Sequence, residues 1–126
     1  MLDFWSWQRP FRSIKFAFQR MKKGYCDYDT WDIDTYLDQV LPSMLRQMAD
    51  EGKAYPYDTT PEKWATDLKY AANCIEKAAK LDMDWGDDEF DGAEKFKYMN
   101  ENAIKAKWLR KTAFEWIVEH YRDLWW

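Results

Sequence analysis

Thr60-Pro-Glu-Lys-Trp-Ala-Thr-Asp-Leu-Lys-Tyr-Ala-Ala-Asn-Cys-Ile-Glu-Lys-Ala-Ala-Lys-Leu81 carries both a helix start and a buried side. Thr60 can cap, Pro61 suits the first helical position, and Glu62 complements the positive end of the dipole. Trp64, Leu68, Ala71, Ala72, Ile75 and Ala79 recur at helical spacing, and the small alanines let a neighbouring helix approach closely. Such a helix needs other helices to cover it, so the fold follows from what lies on either side.

On the C-terminal side, the loop Asp82–Gly92 leads into a long helix from about Ala93 to Leu124, opened by Asp91 and Glu94 in the manner of a capping box. Phe96, Met99, Ala103, Ala106, Leu109, Ala113, Trp116, Ile117 and Leu124 form one stripe. Ile104, Trp108, Phe114, Val118, Tyr121 and Trp125 form a second. A helix apolar on two sides is central in its fold or part of an oligomer interface.

On the N-terminal side, a helix from about Thr30 to Glu51 presents Ile33, Leu37, Val40, Leu41, Met44, Leu45 and Met48, with Gly52 as its stop. Pro42 lies inside it, removes a backbone bond near Asp38 and predicts a kink. A first helix over about Arg9–Lys23 places Trp7, Phe11, Ile14, Phe18 and Met21 on one side and Arg12, Lys15, Arg20, Lys22 and Lys23 on the other. Gly24 stops it. A basic amphipathic helix with rings can lie on a membrane surface. Packing of the stripe inside the bundle is the expectation adopted, with no membrane partner. Strand patterns are absent. The expected architecture is an all-α, single-domain bundle of about four helices over residues 1–126.

Aromatic residues make up 19% of the 126-residue chain, with nine Trp, eight Tyr and seven Phe. That is more than one small core needs, so surface rings and a homo-oligomer or partner interface are expected. The net charge of −4 hides blocks. Residues 1–26 hold six bases and one acid; residues 27–38 hold five Asp and no base; residues 82–94 hold seven acids and no base; residues 95–111 hold six bases and one acid. Such blocks can neutralise one another within the fold, or an acidic face can imitate nucleic acid. Cys26 and Cys74, far apart and without a Cys-x-x-Cys, suit a reducing compartment rather than a zinc site. No signal peptide or membrane span is evident, and a reducing cytoplasm is the expected location.

The densest chemistry lies in Gly24-Tyr-Cys-Asp-Tyr-Asp-Thr-Trp-Asp-Ile-Asp-Thr-Tyr-Leu37. With Asp29 as N-cap, Asp32 is the third helical residue, and Tyr28 with Ile33 makes a hydrophobic staple. The other reading is a ligand site in which Arg20, Lys23, Tyr25 and Trp31 contact a nucleotide-like anion while Asp27, Asp29, Asp32 and Asp34 accept donors. Asp34 and Asp38, one turn apart, are the candidate metal ligands, suited to Mg or Mn in a hydrolase acting on a nucleotide. No cofactor and no catalytic residue is assigned. The acidic loop misses the EF-hand pattern, because counting from Asp82 puts Gly86 at position 5 and Ala93 at position 12. His120 stands alone, and no nucleophile with a base and orienter is evident. Lys105, Lys107, Arg110 and Lys111 around Trp108 form a basic patch without a nucleic-acid-binding motif, so nucleic acid is disfavoured.

Three motifs resemble a family of small tailed-bacteriophage proteins of uncharacterised activity. They are the Gly24–Leu37 pattern after a basic segment, the Thr60–Trp64 helix start, and the ending from Phe114 to Trp125 with Glu119, His120 and Tyr121. Cys26 stands where that pattern has serine, and Trp126 where it has an acid. The resemblance implies a phage context and no particular chemistry. The expected function is a non-catalytic accessory protein that binds and inhibits or sequesters a host factor or small anionic ligand, as in defence evasion. The metal-dependent hydrolase and a structural or assembly component of the particle are the alternatives.

Overall fold

The computed structural model describes the backbone of residues 4–125 and the side chains of residues 12–125 apart from Trp31. It is all-α: α1 (Phe4–Lys23), α2 (Asp27–Trp31), α3 (Ile33–Glu51), α4 (Pro61–Asp82) and α5 (Gly92–Glu119), with a short 3-10 turn at Tyr121–Asp123. Among the described residues there is no strand, and no helix is long and apolar enough to cross a membrane. The chain forms two units, residues 1–37 and 38–126, with the boundary inside α3.

In residues 38–126 the expected signals operate. The Thr60 hydroxyl accepts from the Lys63 N–H at 3.2 Å ahead of Pro61, and the Asp91 carboxylate accepts from the Glu94 N–H at 2.8 Å. α4 and α5 pack on each other, and Ala71, Ala72 and Ala78 of α4 and Ala106 and Ala113 of α5 are all essentially without solvent contact. Missing side-chain bulk on both helices permits this approach. Leu68 and Ile75 fill the core, joined by Leu45 from α3, Trp64, Cys74 and Ile117. The buried edge of α4 thus runs through Cys74 and Ala78, where the spacing had placed Ala79. Trp116 stacks on His120 at 4.7 Å and tilts against Trp64 at 5.3 Å, and His120 Nδ1 lies 2.9 Å from the Trp116 carbonyl. α5 ends at Glu119 rather than near Leu124, and the chain turns.

α3 continues through Pro42, which is buried, so the Asp38 carbonyl lacks its helical donor. Arg46 of α3 reaches Glu76 and Asn73 of α4. Asp50 of α3 pairs with Lys69 at 3.1 Å. Several expected core positions are open instead: Met44 is 61% exposed and Phe96 74% exposed. Met99 is also exposed.

In residues 1–37, α1 starts earlier than its spacing suggests. It ends at Gly24, whose φ of 81° lies in the left-handed region and whose N–H returns to the Arg20 carbonyl at 2.9 Å. The helix expected from Thr30 is interrupted. Cys26 caps the short α2, Asp32 breaks it at φ −143° and ψ 64°, and α3 begins at Ile33. The Tyr36 hydroxyl donates to the Gly24 carbonyl at 2.5 Å and ties the new helix to the end of α1. The α1 stripe is not packed as expected: Ile14 is 67%, Phe18 62% and Met21 81% exposed. Trp7 and Phe11, the rest of that stripe, have side chains outside the described residues.

Candidate functional site at the aspartate-rich junction

The polar side of α1 builds the junction. Gln19 holds α2 with both ends of its amide: its nitrogen donates to Asp27 Oδ2 at 2.9 Å, and its oxygen accepts the Asp27 N–H at 2.8 Å. Lys15 adds an ion pair to Asp27 at 3.4 Å. The Gln19 donor holds the Asp27 carboxyl below its ordinary range against the opposing effect of desolvation, with Lys15 adding to the lowering. Phe16 rests against Tyr28, with ring centroids 6.2 Å apart.

Asp29 is the buried centre. Arg20 grips it in a fork, Nε to Oδ2 at 3.1 Å and Nη2 to Oδ1 at 2.8 Å, and the Cys26 N–H adds a bond to Oδ2 at 2.9 Å. Asp29 is therefore the third residue of α2 reaching back to its cap, not the cap itself. The expected staple fails with it, because Tyr28 and Ile33 are both exposed. Arg20 first, then the Cys26 N–H, depresses the Asp29 carboxyl well below the usual carboxylate range, and the guanidinium is raised in return. A carboxylate so strongly held as the anion is a poor proton acceptor near neutral pH. Its charge is spent inside the unit.

Lys23 lies 5.2 Å over the Tyr25 ring. The expected ring-lined opening exists as a hollow of about 250 Å³ between Tyr25, Asp29, Thr30, Ile33, Tyr36 and Leu37. Tyr25 is exposed at its edge, but the one carboxylate lining it is already matched by Arg20. The Trp31 side chain lies outside the described residues. Asp32 is exposed and serves α3, its carbonyl accepting the Tyr36 N–H at 3.1 Å. Asp34 is exposed, and its Oδ1 accepts the Thr35 N–H at 2.9 Å.

The second candidate metal ligand, Asp38, is engaged within residues 38–126. Arg110 of α5 donates to Oδ1 at 3.2 Å and Oδ2 at 2.6 Å, and its remaining Nη1 reaches Asp82 at 2.5 Å. Asp38 and then Asp82 raise the Arg110 guanidinium, against the opposing effect of burial. Among the described residues no group of three or more His, Cys, Asp or Glu side chains is arranged to hold a metal ion.

The junction thus brings together Arg20, Asp27 and Asp29, and adds Gln19, Lys15 and Cys26, which carry no motif. The pairing of Arg20 with Asp29 across nine positions was open to inspection, since the basic helix abuts the acidic turn. Arg110, set among lysines in sequence, had no local signal pointing to Asp38. Tyr98 donates to Asp84 at 2.7 Å, and Asn102 donates to the Asp84 carbonyl at 3.2 Å. These bonds bind the acidic loop to α5. Comparison with family models, curated proteins and solved structures finds no match for this chain.

Proposed function

We propose that this chain is a non-catalytic accessory protein of phage origin that captures a host protein through α1. The observation that carries the reading is the bare stripe of Ile14, Phe18 and Met21, edged by Lys15 and Lys22 on a helix whose polar side is already used to hold α2. Apolar residues at i, i+4 and i+7 are the anchors of a helix laid into a groove. Residues 12–23 carry five bases and no acid, so the partner is a protein with an apolar groove rimmed by carboxylates. The host context rests on the sequence resemblance, and defence evasion is its expected setting.

The small-anion version has less support, because Arg20 would have to leave Asp29 to bind a phosphate. The hydrolase alternative asks Asp38 to leave Arg110. The test is capture from host lysate with the wild-type chain and with Phe18→Asp, followed by binding of the purified partner. The reading expects one acidic partner, lost with Phe18→Asp and weakened by salt. Binding to anionic vesicles without a protein partner would move α1 to a membrane surface. A melting-point rise with nucleotide and Mg, absent in Asp38→Asn, would support the enzyme.

A further inference from the structure

The second stripe of α5 is as open as that of α1. Ile104, Trp108, Phe114 and Val118 are exposed by 51%, 61%, 36% and 73%, and Tyr121 and Trp125, just beyond the end of the helix, by 71% and 62%. These six side chains leave on the order of 700 Å² facing water, close to the roughly 800 Å² each partner contributes to a standard interface. The opposite side of the same helix is spent on α4 through Ala106, Ala113 and Ile117, so nothing within the core competes for the stripe.

The charges along it are polarised. Lys107 and Lys111 lie in its first half, Glu115 and Glu119 in its second, and all four are exposed. Lys111 sits 4.8 Å over the Trp108 ring and 3.9 Å from Glu115. A surface whose halves carry opposite sign complements itself only when a second copy runs the other way. We propose that α5 forms an antiparallel two-fold interface between two copies of this chain. In one register Lys107 lies opposite Glu119 of the partner subunit and Lys111 opposite Glu115 of the partner subunit. The same register lays Trp108 over Val118 of the partner subunit. The two-fold axis falls midway between Lys111 and Glu115, and every contact occurs twice, as a self-complementary interface requires.

Sedimentation equilibrium of the full chain tests this, with circular dichroism confirming that each variant is folded. The wild-type chain sediments as a dimer. Val118→Glu, at an exposed position, raises the dissociation constant by about a hundredfold or more, because it places a charge in the seam. Lys111→Glu alone and Glu115→Lys alone each set like charges opposite one another and weaken the dimer by about tenfold. Mixed together, these two variants form a tight heterodimer, since every facing pair is again of opposite sign. A parallel contact already sets Lys111 on Lys111 and Glu115 on Glu115 in the wild type, so it predicts no weakening in either single variant. A monomeric wild type, a dimeric Val118→Glu, or a mixture no tighter than its components overturns the proposal.

Discussion

Asp38→Asn separates two roles for the same carboxylate. In the structure Asp38 is about one-sixth exposed and takes both oxygens to Arg110, itself one-quarter exposed. Hydrogen bonds to a charged partner are worth about 1.5–3 kcal/mol, and Asn retains one acceptor. Arg110 also keeps Asp82, so its charge is not left alone. These considerations place the cost at about 1–2 kcal/mol. Unfolding residues 38–126 gains about 0.2 kcal/mol per kelvin, so the midpoint falls by about 5–10 °C. The assay is thermal unfolding in metal-free buffer with a chelator, repeated for Arg110→Met and the double variant. The structural role predicts that the double variant loses less than the sum of the singles, with a coupling of about 1 kcal/mol. A carboxylate poised for a cation behaves in the opposite way: without metal, Asp38→Asn relieves repulsion and raises the midpoint. A rise, or strict additivity with Arg110→Met, would refute the pairing as drawn.

Leu68→Ala, at a side chain with no solvent contact, costs about 2–5 kcal/mol by chemical denaturation, whereas Tyr70→Ala on the exposed side of α4 stays within about 0.5 kcal/mol. Similar losses at the two positions would show that the α4 register is wrong. Gly86→Ala combines a φ of +83° with a Cβ only 2.9 Å from the Tyr98 ring, so it destabilises the loop by about 1–3 kcal/mol in the same assay. For acid, the sign follows from Asp27 and Asp29, whose folded pKa values are lowered. The unfolded chain binds more protons there, so their contribution is full above the ordinary aspartate value of about 3.9 and is lost as pH falls through the lowered folded values. Helix content of residues 1–37 as an isolated peptide, followed by circular dichroism, should fall across that acid window in the wild type. Asp29→Asn should flatten the dependence, leaving the smaller part due to Asp27.

Local chemistry was readable without coordinates. Thr60, Pro61 and Asp91 act within one turn of themselves, and Gly24 needs only its own φ, so these helix ends stand where the sequence puts them. The α4 stripe was equally legible, because 3.6-residue periodicity is a property of the chain and not of its neighbours. Asp29 had two equally local futures, cap or third residue. The choice fell to Arg20: as third residue Asp29 takes its two-bond fork as well as the Cys26 N–H, more charge-assisted bonds than a cap bond alone would give, and the helix breaks at Asp32. Asp38 of α3 and Arg110 of α5 stand 72 positions apart, and only tertiary folding brings that cation to that acid. Periodicity shows that a helix has an apolar side, but it does not say whether anything covers it. The open stripes of α1 and α5 were decided by tertiary structure, because burial depends on which surfaces meet.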